Sequence, residues 1–154
     1  MITLIDGRSG AGKTTFAQAL AGQSRLIHMD SLYAGWHGMA EGIAIAQRIV
    51  AEHAAGRSVS WQEWDWHADA RGAEQTLHPH EELVLEGCGA LTPATAALAD
   101  RSIWLEAPEG IRRARALARD KGDWWWELWK AQEDAHLAAH DPRSLATEII
   151  DASA

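Results

Sequence analysis

The stretch Gly7-Arg8-Ser9-Gly10-Ala11-Gly12-Lys13-Thr14-Thr15 constrains this chain more than any other. It spells G-x-x-x-x-G-K-[ST], the phosphate-binding P-loop. Glycines without obstructing side chains let successive backbone N–H groups aim into one concavity, an arrangement suited to a polyphosphate tail. Lys13 is placed to reach β and γ phosphates and the Thr14 hydroxyl to ligate Mg²⁺, while the helix opening near Lys13 adds its positive end. The required context is present. Ile2-Thr3-Leu4-Ile5 reads as a strand running into the loop, and Lys13 to Leu20 as a helix leaving it, with Gly22 as its stop. Residues 7–15 are therefore the candidate nucleotide site.

At 154 residues the chain suits one compact domain. Its formal charge of −8 opposes a general nucleic-acid or anionic-membrane surface, so an anionic ligand must be held by a local basic cluster. No apolar run approaches membrane-spanning length, and the opening Met1-Ile2-Thr3-Leu4-Ile5-Asp6 has neither a basic leader segment nor a cleavage site. With a single cysteine, Cys88, these features predict a cytoplasmic location. Cys88 itself reads as a small packed residue.

Further along, Arg25 to Asp30 is a short apolar strand ending on an acid, and Gly38 to Gly56 carries helical periodicity. Arg57 to Asp69 is tryptophan-rich and ambiguous, with a candidate short strand at Val59 to Trp61. Leu83-Val84-Leu85 is a strand ending on Glu86-Gly87, Thr92 to Asp100 a short helix, and Ser102 to Leu105 a strand ending on Glu106. A basic helix runs from Pro108 to about Asp120, another from Asp123 to about His140, and Leu145 to Ile150 is a last candidate strand. Strands alternating with helices predict an α/β fold with a parallel sheet, whose strand C-terminal ends share one ligand-binding edge. The P-loop, Asp30 and Glu86 should converge there.

Each convergent residue has a chemistry to offer. Asp30 can accept the proton of an acceptor hydroxyl beside the γ phosphate, or else cap a turn in solvent. Glu86 stands where P-loop proteins hold Mg²⁺, commonly through water. Arg112, Arg115 and Arg119 recur at i, i+3 and i+7, one helical face, which suits a clamp on transferring phosphate as well as a solvated basic face.

These motifs in order resemble the uridine kinase branch of P-loop kinases: the P-loop, His28-Met29-Asp30-Ser31-Leu32-Tyr33, Trp64-Asp65-Trp66 with Arg71 downstream, Leu85-Glu86-Gly87, and Arg112-x-x-Arg115-x-x-x-Arg119-Asp120. The resemblance implies a three-layer P-loop NTPase fold, with a five-stranded parallel sheet flanked by helices, as a single domain over 1–154 with a small lid around 112–128. It also implies transfer of the γ phosphate of ATP, with Mg²⁺, to a small-molecule hydroxyl, a nucleoside being one such acceptor. Asp30 would be the base and a Mg²⁺-associated acid, Glu86 the second acid, Arg115 and Arg119 the lid arginines, and Tyr33, Asp65 and Arg71 acceptor-pocket positions. Two segments depart from the family: Trp64 stands in place of a tyrosine, and Lys121-Gly122-Asp123 with a tryptophan cluster replaces further lid arginines.

Nine tryptophans are unusual at this length. Trp64 and Trp66 could wall an aromatic acceptor pocket or simply pack, and Trp125, Leu128, Trp129 and Gln132 share a face that would dock a helix on the sheet or cover nucleotide. His136 and His140, at i and i+4, lack a third metal ligand, so Mg²⁺ is the one metal expected. Two other classes stay in view. A GTPase switch needs Asn-Lys-x-Asp, and the chain has no asparagine. A nucleotide-binding subunit that has lost chemistry and docks a partner through exposed tryptophans is opposed by intact Lys13, Thr14, Asp30 and Glu86.

Overall fold

The structure is a computed structural model, and it describes residues 1–120 and 122–153. Strand β1 (Ile2–Gly7) leads through the loop into α1 (Lys13–Ala21) and β2 (Arg25–His28), which a single 3-10 turn at Met29–Ser31 terminates. There follow α2 (Met39–Ala54), β3 (Val59–Asp65), β4 (Ala70–Leu77), β5 (Leu83–Glu86), α3 (Pro93–Ala96) and β6 (Arg101–Glu106). The chain continues through α4 (Glu109–Asp120), α5 (Trp126–His140), α6 (Pro142–Leu145) and β7 (Glu148–Asp151).

Five strands form one parallel sheet in the order β2-β5-β1-β6-β7, as the alternation of strands and helices predicts. All six residues of β1 are buried, as suits a strand covered on both faces at the centre of such a sheet. Side chains alternate between two cores. Leu4, Leu83 and Leu85 join Ile43, Ile49, Trp125 and Trp129 on one face. Ile5, Val84 and Ile103 join Ala17 and Ala21 of α1 on the other. The register brings the C-terminal ends level: Glu86 is opposite both Ile5 and His28. That alignment puts the P-loop, Asp30 and Glu86 along one edge.

The ambiguous tryptophan-rich segment is an antiparallel hairpin, β3 against β4, apart from the main sheet. The sequence points only to Val59–Trp61. Strand β4 has just one buried residue, Leu77, and therefore no apolar alternation to announce it. Cross-strand polar pairs hold it instead, Ser60 Oγ to Thr76 Oγ1 at 2.7 Å and Gln75 Nε2 donating to Glu63 Oε1 at 2.7 Å. The last strand begins at Glu148 rather than Leu145, because Pro142–Leu145 turns as the short helix α6. Among the described residues no helix is long and apolar enough to cross a membrane.

Helix α2 is seated by a close approach at Gly42, where a Cβ would lie 2.6 Å from Tyr33 Cδ1. Tyr33 has little room to yield, since its hydroxyl donates to Cys88 O at 2.5 Å and its ring meets Trp129 edge-on at 4.7 Å. Gly42→Ala should therefore lower Tm, the overpacking cost of about 1–3 kcal/mol outweighing the helix-propensity gain of about 1 kcal/mol. A thermal melt with Tm equal to or above wild type would contradict this seating.

Candidate active site

A cleft of about 660 Å³ opens at this edge. Its floor is the P-loop, where Gly10 and Gly12 take φ of +81° and +92°. Gly10 is doubly fixed, because a Cβ there would also lie 2.1 Å from the Arg112 carbonyl oxygen. No side chain caps the start of α1, which leaves the first-turn N–H groups to an anion. Lys13 is buried, its Nζ donating to Arg8 O at 2.9 Å. Burial alone would lower its pKa, but Cys88, Glu86, Glu133 and Asp6 around it raise it, so the ammonium is retained.

Glu86, buried at the end of β5, accepts from Thr14 Oγ1 at 3.0 Å and lies 2.6 Å from His28 Nδ1. Asp30 opens to the cleft from the 3-10 turn after β2. Desolvation by the surrounding wall, then the charge of Glu86, raises its pKa against the pull of Lys13, Arg119 and His28. Thr14, Glu86 and Asp30 thus present hard oxygen donors on one side of the cleft. Among the described residues no group of three His, Cys, Asp or Glu side chains is gathered as a metal cluster. A Mg²⁺ ion here would complete its shell with phosphate oxygens and water, its usual habit.

The arginine face of α4 does turn toward the P-loop. Arg112 is buried and donates to Ala107 O at 2.9 Å and Ser9 O at 3.4 Å, bracing the loop from behind without lining the cleft. Arg115 and Arg119 line the cleft. Arg115 also donates to Gly10 O at 3.3 Å and Ala152 O at 2.7 Å, while Arg119 pairs with Asp120 at 2.7 Å. Lys121, inside the lid expected at 112–128, lies outside the described residues.

The opposite wall is aromatic: Tyr33, Trp36, Trp66, Trp125 and Trp129. Trp36 is its centre, stacked on Trp125 at 5.2 Å and edge-on to Trp66 at 5.4 Å. Trp66 donates its Nε1–H to Asp30 O at 2.9 Å, tying the hairpin turn to the 3-10 turn. Trp64, Asp65 and Arg71 are not among the lining residues. Asp65 accepts from His67 N and Ala68 N within the hairpin turn, and Arg71 binds Glu41 at 2.7 Å and Leu32 O at 2.9 Å under a cation–π contact with Trp64.

Several residues of the site escape the sequence reading. Trp36 follows a glycine in what reads as a loop. Asp6, 1% exposed, is the next-to-last residue of β1 and accepts from Gly7 N, Gly89 N and Leu91 N and from His136 Nε2 at 2.9 Å. His136 meets His140 at 2.9 Å, so the histidine pair extends from Asp6. Glu133 reaches the P-loop itself. The available signal was Glu133, His136 and His140 at i, i+3 and i+7, a polar line on a helix otherwise docked by tryptophans.

No protein-family model and no curated protein matches the chain. Among solved structures it is similar to a protein from Bacillus stearothermophilus described as a possible uridine kinase, at 18% identity and a TM-score of 0.70 over 98% of this chain and 88% of that one. The fold is that of the P-loop kinases. A shikimate kinase from Bacteroides thetaiotaomicron is similar at 16% identity, TM-score 0.56, over 99% and 86% of the two chains. A gluconokinase from Sinorhizobium meliloti 1021 is similar at 19% identity, TM-score 0.55, over 99% and 82%.

The His28–Glu86 contact carries a pH signature. The hydrogen bond to Glu86 raises the His28 pKa above its ordinary value, against burial. A group raised in the folded state contributes stability fully present below its unfolded pKa of about 6.5 and lost as pH climbs through the folded value. The Tm gap between wild type and His28→Gln should therefore be widest below about pH 6.5 and shrink above it. A gap independent of pH between 6 and 9 would show that the contact does not involve charged His28.

Proposed function

We propose that this protein is a small-molecule kinase that transfers the γ-phosphate of ATP to a hydroxyl acceptor. The observation that carries the proposal is the meeting of Lys13, Thr14, Asp30, Glu86, Arg115 and Arg119 in one cleft. The likeness of fold to a protein described as a possible uridine kinase, to a shikimate kinase and to a gluconokinase supports the reaction class. The P-loop N–H groups and Lys13 would hold the phosphates, with Arg115 and Arg119 meeting the charge that develops on transfer. Thr14, Glu86 and Asp30 would hold Mg²⁺, which when bound neutralises charge on the transferring phosphate. Asp30, with its raised pKa, is suited to take the acceptor proton. The segment 112–128 would act as a lid over this end of the cleft.

The acceptor reading is drawn from the aromatic wall. Its rings favour an alcohol bearing a flat or apolar face, a nucleoside among them, and the cations in the lining belong to the P-loop and α4. Trp66 and Tyr33 are the sequence-derived acceptor residues that this wall supports. An acidic chain with its basic groups drawn into the cleft suits a small ligand better than a nucleic acid or a membrane surface.

Acceptor-dependent ATP consumption across nucleosides, neutral sugars and sugar acids tests the proposal, with Lys13→Ala as the blank. Nucleosides or other ring-bearing alcohols should turn over and sugar acids should not; no turnover with any acceptor overturns the assignment. Asp30→Asn should reduce turnover by about 10²-fold or more. It should also raise Tm at pH 7: a carboxyl whose folded pKa is raised costs stability above that pKa, and the cost vanishes below its unfolded value of about 3.9. Undiminished turnover would remove Asp30 as the base, and a lower Tm at pH 7 would mean that its charge is well accommodated.

A further inference from the structure

Glu133 projects from the middle of α5 and is 2% exposed, and its carboxylate bonds to residues outside α5. Its Oε2 accepts the Ser9 N–H at 2.6 Å and the Cys88 thiol at 3.3 Å, and its Oε1 accepts Arg8 Nε at 3.1 Å. Arg8 is drawn further along the helix by Asp134. Ser9 is thereby held through the peptide groups on both sides of it, its N–H by Glu133 and its carbonyl by Arg112 at 3.4 Å.

A buried carboxylate under a polyphosphate-binding loop is electrostatically the wrong sign, since it repels the ligand the loop is built to receive. Its presence calls for a compensating gain. A loop containing Gly7, Gly10 and Gly12 has many conformations to lose, and ordering them on binding would be subtracted from affinity. A fixed acceptor at Ser9 removes that loss in advance and keeps the neighbouring N–H groups aimed into the cleft.

We propose that Glu133 is a positioning residue for the P-loop, holding Ser9 and Arg8 from α5 so that the loop is in its phosphate-binding shape before nucleotide arrives. The inference rests on the nucleotide reading of the cleft and is independent of which acceptor is used. It also joins the phosphate floor to the acceptor wall, because Trp129 stands one helical turn before Glu133 on α5 and lines the aromatic side of the cleft.

Charge and positioning predict opposite signs. If the carboxylate acted through its charge alone, removing it would tighten phosphate binding. Calorimetric titration of Mg·ATP and of Mg·tripolyphosphate into wild type, Glu133→Ala and Glu133→Gln, with Tm recorded for each, separates the two. Glu133→Ala should bind both ligands about tenfold or more weakly, as loss of a hydrogen bond to a charged group entails. Glu133→Gln, whose amide oxygen still accepts from Ser9 without the repelling charge, should bind more tightly than the alanine variant. A folded Glu133→Ala that binds as well as wild type overturns the proposal, as does a Glu133→Gln that binds no more tightly than a folded Glu133→Ala. If the alanine variant does not fold, a Glu133→Gln that binds about tenfold or more weakly than wild type overturns it. A wild type that binds neither ligand overturns the nucleotide reading and this inference with it, whereas binding by wild type with unaffected variants overturns the inference alone.

Discussion

The carboxylate of Asp6 is the joint on which the rest of the cleft depends. It is fully enclosed at the end of the central strand and accepts the Gly7 N–H at 2.7 Å, the Gly89 and Leu91 N–H groups of the loop after β5, and His136 Nε2 from α5. A buried carboxylate is tolerable only when its lone pairs are satisfied, and here the partners come from three separate segments: the start of the P-loop, the loop after β5 and α5. His136 lies with Nε2 2.9 Å from Asp6 Oδ2 and Nδ1 2.9 Å from His140 Nδ1. Burial, then the neighbouring His136, lowers the His140 pKa. One acid therefore sets the start of the P-loop, the chain just beyond Glu86 and the depth of α5 together.

Short-range chemistry was legible in the residues and long-range pairing was not. The P-loop announces its turn through glycine spacing, and β5 its burial through Leu83-Val84-Leu85. Asp30 and Glu86 are legible because a parallel sheet gathers strand C-terminal ends on one edge. Strand β4, Ala70–Leu77, gives no such signal, since its stability lies in pairing with β3 and not in an apolar face of its own. The histidine pair is the clearest case. Spacing shows that His136 and His140 are neighbours, but the partner that gives them meaning, Asp6, is 130 residues away.

The arginine helix shows how one pattern divides its labour. A face of three guanidinium groups beside a P-loop reads as a phosphate clamp, and the face does point at the loop. Arg112 nevertheless spends its donors on the carbonyls of Ala107 and Ser9, and burial lowers its pKa without removing its charge. Arg119, farther out, pairs with Asp120 and keeps its place in the lining. Periodicity establishes the face, and distance along the axis decides which end braces backbone and which end meets the cleft. The tryptophans divide similarly: Trp61 and Trp126 belong to the core, Trp125 and Trp129 to both the core and the cleft wall, and Trp36 and Trp66 line the cleft outside the buried core.

The central position of β1 has a bearing on how the chain assembles during synthesis. Its partners are β5 and β6, so Ile2 must wait for Leu83, and Thr3 for Arg101, before the sheet can close around it. At ribosomal speeds of about 5–20 residues per second the first strand spends on the order of 5–20 seconds without either neighbour. Asp6 waits longer still, until His136 of α5 has emerged. The nucleotide loop is thus the earliest part of the site to be made and among the last to be completed, and β1, whose six residues are all buried in the finished fold, is the segment that a chaperone would find exposed in the interval.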